Sequence, residues 1–308
     1  MQAALTLLEV MCLQGLKQLV LCPGSRSGPL ATAAGLLASQ AKLQLVTAID
    51  ERSAAFLALG MATAHGRAVA VVTTSGTAVA NLLPAAVEAD RSCQPLLLLT
   101  ADRPARLKNC GANQTVNQES FLLSACRWFG SGAAEGVHTQ SNKALNALAF
   151  QAWQRSQGAD SGPPGPVQLN LPFEEPLHPT LEQQQQLVSS ACPPTACPEP
   201  PLEIGPVPRL DHERPGVVIA GPWRGLSPAL EDYQKALHRW LNVSGWPVLA
   251  DPLAALAADC PNRIEHWELQ LDRLHIPNDA QVLRLGPMPP SRRLEAWLQR
   301  HQGNQLLI

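Results

Sequence analysis

The chain has 308 residues, a formal net charge of −2, and 45% hydrophobic against 16% charged residues. That composition fills sizeable cores and excludes a disordered chain, and at ~150 residues per domain it predicts two domains. Near-neutral charge removes the electrostatic case for nucleic acid or an anionic membrane, and one Tyr with five Phe makes no base-stacking platform. No apolar run approaches the ~18 residues of a membrane span. The N-terminus lacks the basic start of a secretion signal and carries Glu9. Of eight cysteines only Cys192 and Cys197 are close, and no second pair completes a zinc site. All eight read as reduced thiols, so a cytoplasmic protein is expected.

Short apolar runs at 18–22, 43–49, 68–74, 96–100 and 167–171 alternate with helical stretches. Continuous apolar strands separated by helices predict a parallel sheet covered on both faces. Residues 178–214 hold four consecutive Gln and a dense set of Pro, a composition that breaks helix and strand alike. Beyond it, 216–220, 246–250, 281–285 and 305–308 repeat the strand pattern, with helices expected over 229–241 and 292–300. The expected fold is α/β, with two doubly wound parallel-sheet domains, 1–177 and 215–308, joined by a linker at 178–214. The final run, Gln305-Leu306-Leu307-Ile308, reads as a buried strand without a closing segment, so more protein is expected after it.

Asp50-Glu51-Arg52 stands between an apolar strand-like run and a stretch, 53–64, that carries no charge. A helix apolar on every side is expected to be buried on every side, which would put Glu51 at the mouth of a buried element. Carboxylates in such places serve as proton donors near neutral pH. The competing reading is a helix start, with Asp50 as cap and Glu51 at the positive end of the dipole. Earlier, Cys22-Pro23-Gly24-Ser25-Arg26-Ser27 delivers a strand into a turn whose serines can cap and whose Arg26 can grip a carboxylate.

The same design recurs at Ser75-Gly76-Thr77, where small residues let the backbone approach a ligand or a subunit closely; Asn81 follows and is expected to need a buried partner. A third strand ends on Asp102-Arg103, and the loop from Cys110 to Gln118 is rich in amides, Asn113, Gln114, Asn117 and Gln118. Ligands gather at the carboxyl ends of parallel strands, so these ends are expected to share one cleft.

Taken in order, Pro23-Gly24-Ser25-Arg26-Ser27, Asp50-Glu51-Arg52, the run from Thr74 to Asn81, Thr100-Ala101-Asp102-Arg103-Pro104 and Cys110-Gly111-Ala112-Asn113-Gln114 resemble the thiamine-diphosphate enzyme family. Within that family the likeness is to the carboligases of menaquinone and phylloquinone biosynthesis. The resemblance implies that the first block is a pyrimidine-binding domain and the second a central domain. It implies that Glu51 is the catalytic acid at the aminopyrimidine ring, with Ser75, Gly76, Thr77 and Asn81 also at the cofactor. It places Ser25, Arg26, Arg103 and Gln114, with Arg292 and Arg293 from the second block, at the substrates. Those would be 2-oxoglutarate and isochorismate, in a homodimer or homotetramer.

The family's diphosphate-binding domain holds Mg2+ or Mn2+ through a Gly-Asp motif, and no Gly-Asp dipeptide occurs in this chain. The chain is therefore expected to supply no metal ligands and to be inactive alone. Alternatives are a carboligase of the acetolactate-synthase kind, or a non-catalytic module that dimerises or binds ligand.

Overall fold

Consecutive side chains along the strands of the first block enter two different cores. Leu19, Leu21, Ala70, Val72, Leu97 and Leu99 join one; Val20, Val69, Val71, Leu96 and Leu98 join the other. Period-two alternation with both sides apolar is what a sheet covered on both faces requires. The structure is a computed structural model that describes residues 1–158, 162–180, 182, 210–277, 279–300 and 305–308. The chain divides into two compact units, Met1–Leu202 and Glu203–Ile308. Most of the expected linker, including the four consecutive Gln, lies outside the described residues.

In the first unit β1 (Gln18–Leu21), β2 (Gln44–Thr47), β3 (Val69–Thr73), β4 (Leu96–Asp102), β5 (Trp128–Ser131) and β6 (Pro166–Pro172) form one parallel sheet in the order β2-β1-β3-β4-β6-β5. On one face lie α1 (Gln2–Gln14), α2 (Gly28–Ser39) and α6 (Asn142–Ser156). On the other lie α3 (Glu51–His65), α4 (Thr77–Ala80) and α5 (Leu83–Ser92). The expected doubly wound fold is present.

Strand β5 is an addition to the sequence reading. Four residues with Gly130 inside give little strand signal, yet Trp128 pairs with Val167 at the sheet edge. A Cβ on Gly130 would stand 2.1 Å from the Trp128 ring, so only glycine fits beneath that indole.

One expectation is corrected. Helix α3 buries a stripe of Ala54, Ala55, Ala58, Leu59 and Ala62, but Phe56 and Leu57 are 43% and 44% exposed. Its lack of charge therefore does not mean burial all round: the small residues seat it on one sheet face, and its outer side is open.

The second unit is another parallel sheet, order β10-β9-β7-β8, from β7 (Gly216–Ala220), β8 (Val248–Ala250), β9 (Gln281–Leu285) and β10 (Gln305–Leu307). Val217, Ile219 and Val282 pack with α9 (Arg292–Gln299), and α8 (Trp267–Gln270) places Trp267 at the border of that core. Val218, Val248 and Leu283 pack with α7 (Leu230–Ser244) on the opposite face. The terminal strand is correct in place but not in burial: β10 is an edge strand, and Leu307 is 60% exposed. Six described cysteines are free thiols, while Cys192 and Cys197 lie outside the described residues. Among the described residues no helix is long and apolar enough to cross a membrane.

Candidate active site

The first sheet changes direction at β1. The chain leaves it for β2 on one side and returns to β3 on the other, so the loops after β1 and β3 diverge from adjacent strands. Such a switch point at the carboxyl edge is where open α/β sheets receive ligands. The loops are drawn close there: a Cβ on Gly24 would fall 2.4 Å from Thr74 Cβ. Gly24→Ala must push the two loops apart, because Thr74 Cβ cannot rotate away. It is expected to cost about 1–3 kcal/mol in a denaturant melt of this chain; an unchanged midpoint would contradict the packing.

All the strand-end residues picked from the sequence in the first unit reach this edge. Ser25 and Arg26 follow β1, Glu51 opens α3 after β2, Ser75 and Gly76 follow β3, Thr77 opens α4 and Arg103 follows β4. They form two bonded groups. In the first, Asn81 at the end of α4 donates to Glu51 Oε2 at 3.1 Å. Asn81 is exposed, so its partner is this carboxylate at the surface rather than a buried group. Asp50 is the helix cap, its Oδ1 accepting from Ser53 N–H at 2.8 Å; hydrogen bonding from the Ser53 side chain, and next from its backbone, holds the Asp50 pKa below the ordinary value.

In the second group Arg103 donates to Ser75 Oγ and, at 2.8 Å, to the Gln114 carbonyl, while Gln114 Nε2 donates to the Ser75 carbonyl at 2.9 Å. Gly76 has φ 90°, and a Cβ there would press within 2.9 Å of Gln114 Cγ. The Gln114 side chain thus packs against a turn that only glycine adopts freely.

Arg26 is 6% exposed and donates to the Phe173 carbonyl at 2.9 Å, with Glu175 at 3.5 Å. Its Nε is buried without a partner. Burial, and next the nearby Arg103 charge, lower its pKa, with Glu175, Glu174 and Asp102 opposing. Two guanidiniums in mutual repulsion at a strand end are prepared for an anion. Ser27 does not cap α2 as expected; its hydroxyl turns back to the Gly24 carbonyl at 2.9 Å, which shapes the turn instead.

The expectation that Arg26 and Glu51 share a single cleft is corrected. α2 and α3 cover opposite faces of the sheet, so Arg26 and Glu51 come to the edge from opposite sides, and no bond joins them. The end of β1 stands between: the Cys22 thiol is pushed up to about 12 by burial and then by the Glu51 and Asp50 charges. Arg292 and Arg293 belong to the second unit. There Ser291 caps α9, accepting from Leu294 N–H at 3.2 Å, and Arg293 pairs with Asp272.

Sequence reasoning did not single out the exit of β6. Arg106 grips Glu174 with two nitrogens, Nε to Oε2 at 3.0 Å and Nη2 to Oε1 at 2.7 Å, beside the Phe173 carbonyl that holds Arg26. It named Gln118 only as one amide of the loop, and did not single out Asn170 beneath Gly76; a polar residue inside the buried run Leu169-Asn170-Leu171 was the available signal.

Residues 1–121 match the family described as thiamine pyrophosphate enzyme, N-terminal TPP binding domain. Over all of its 308 residues the chain is 85% identical to a 2-succinyl-5-enolpyruvyl-6-hydroxy-3-cyclohexene-1-carboxylate synthase of Synechococcus sp. (strain CC9605), covering 55% of that protein. It is 68% identical to the synthase of the same name from Parasynechococcus marenigrum (strain WH8102), over 94% of this chain and 53% of the relative. Against the one from Prochlorococcus marinus (strain NATL1A) identity is 47%, over 99% and 52%. The chain thus spans about half the length of the curated relatives it matches. The match ends just past the amide-rich loop, so each motif residue named above in the first unit up to Gln118 falls inside it.

Proposed function

We propose that this chain supplies the pyrimidine-binding and central parts of a thiamine-diphosphate-dependent 2-succinyl-5-enolpyruvyl-6-hydroxy-3-cyclohexene-1-carboxylate synthase. Such an enzyme joins decarboxylated 2-oxoglutarate to isochorismate in menaquinone or phylloquinone biosynthesis. The observation that carries the reading is the Glu51 carboxylate at the start of α3, held through Oε2 by Asn81 alone among the described residues. Its other oxygen is left for a ligand, and the donor set fits the aminopyrimidine end of the cofactor.

When bound, thiamine diphosphate would supply an electron sink for decarboxylation of a 2-oxo acid. The chain's own residues do the rest. Glu51 holds a proton at the ring nitrogen, and Asn81 fixes the carboxylate that does so. Gly76, lacking a side chain, lets the backbone of the Ser75–Thr77 turn approach the ring. Arg26 and Arg103 receive and orient substrate carboxylates, with Ser25 and Gln114 at their margin. Arg292 contacts the second substrate; Arg293, tied to Asp272, steadies that helix start.

Among the described residues no group of three or more His, Cys, Asp or Glu gathers to hold a metal ion. Following the resemblance, the reading gives Mg2+ (or Mn2+) and the diphosphate to the portion of the relatives that this chain does not span. The same portion would cover the open face of α3, with Phe56 and Leu57, and the reading keeps a cytoplasmic homodimer or homotetramer.

Assays of residues 1–308 alone and with the missing portion supplied test the proposal. Turnover is expected only in the second case, and only with thiamine diphosphate and magnesium. Tight magnesium-dependent cofactor binding by residues 1–308 alone would refute the division of labour. No product from the completed protein would refute the activity.

A further inference from the structure

Beneath the Gly76 turn runs a line of buried polar side chains with a fixed direction. Gln118, Asn170 and Asp102 have no solvent exposure. Asp102 Oδ2 accepts from Asn170 Nδ2 at 2.9 Å and faces the Lys108 ammonium at 2.8 Å, while Oδ1 accepts from the Arg103 N–H at 2.8 Å. Lys108 also pairs with Glu119. Asn170 Oδ1 accepts from Gln118 Nε2 at 2.8 Å and from Thr100 Oγ1 at 3.0 Å. Gln118 Nε2 also donates to the Ala101 carbonyl at 3.0 Å, and Gln118 Oε1 accepts the Gly76 N–H at 2.9 Å.

The order of these bonds is dictated from one end. An ionised carboxylate only accepts, so Asn170 must turn its NH2 toward Asp102 and its oxygen toward Gln118. Gln118 must then donate on that side and present its oxygen to Gly76. A flip of either amide would set like groups against each other among side chains that have no solvent exposure.

We propose that Asp102 is a positioning residue that, through Asn170 and Gln118, fixes the Gly76 turn and at the same time anchors Arg103 by its backbone. One carboxylate then sets both bonded groups of the site: Arg103 directly, and Asn81 with Glu51 through the turn that launches α4. Its effect on turnover rests on the reading of that turn as a cofactor contact; its effect on geometry does not.

Hydrogen exchange of the Gly76 amide, measured in residues 1–308 against the β1 amides as internal reference, tests it. Asp102→Asn is expected to speed Gly76 exchange about tenfold beyond any change at Val20, the size of one lost buried hydrogen bond. The exchanged pair Asp102→Asn with Asn170→Asp keeps an acceptor-only group facing Gln118, and is expected to restore wild-type exchange. Should Asp102→Asn fail to fold, Gln118→Met removes the same grip with Asp102 intact and is expected to give the same local acceleration. Unchanged Gly76 exchange in Gln118→Met, or no rescue in a folded exchanged pair, overturns the proposal. In the completed enzyme Gln118→Met is expected to raise the KM for thiamine diphosphate more than it lowers kcat. If exchange responds as stated but cofactor dependence does not, the positioning stands and the cofactor reading of the turn fails.

Discussion

Glu51→Gln is expected to leave residues 1–308 folded while lowering turnover of the completed enzyme by about 10²–10⁴-fold, the usual weight of a positioned acid–base group. The helix-start reading also has Asp50 as the cap, so it is this substitution that separates the two roles of Glu51. Asp50, not Glu51, caps α3, through its bond to Ser53 N–H at 2.8 Å. A glutamine keeps the volume and can still accept from Asn81 through its own oxygen. What it loses is the capacity to hold a proton at a ring nitrogen as a carboxylic acid does. The direct readout is NMR exchange of the thiazolium C–H proton in bound cofactor, with circular dichroism as the control for folding. Wild-type exchange in the variant would return Glu51 to a purely structural place at the helix start.

Strands legible in the sequence are those whose both faces are apolar. Leu96 to Leu99 contribute to both cores in alternation, so four consecutive leucines carry the whole signal. Glycines in tight turns were legible for the same reason: Gly24 and Gly76 sit where a side chain has no room. β5 was not, because edge pairing to β6 holds Trp128–Ser131 and leaves no continuous apolar run. The open side of α3 escaped notice because a chain of small apolar residues has the same composition whether one face is covered or all are.

Candidate site residues were legible where charge stood at a strand end, as with Arg26, Glu51 and Arg103. The partners that orient them were not: the Phe173 carbonyl is backbone, and Gln118 reaches Gly76 across 42 positions of sequence. Only the parallel order of β3, β4 and β6 brings Gly76, Ala101 and Asn170 around one amide.

The two arginines of the edge should answer to substitution in different ways. Arg103→Met is expected to weaken binding of 2-oxoglutarate by about 10–100-fold, since a hydrogen bond to a charged group contributes about 1.5–3 kcal/mol. Arg103 is only half-buried, and what it gives up locally is its bonds to Ser75 Oγ and the Gln114 carbonyl. Against that loss, its removal relieves the repulsion that helps to lower the Arg26 pKa. Stability should therefore change little.

Arg26→Met should instead destabilise the fold as well as weaken binding, because it strips the Phe173 carbonyl of its 2.9 Å donor in the interior. Titration calorimetry with 2-oxoglutarate, alongside thermal melts of both variants, separates the two. Added salt should weaken wild-type binding more than Arg103→Met binding, since one of the two attracting charges is gone. Equal affinity in wild type and Arg103→Met would remove the paired guanidiniums from substrate recognition. Their closeness would then be a strain that the fold tolerates through Glu175 and the β6 exit, with no anion to relieve it.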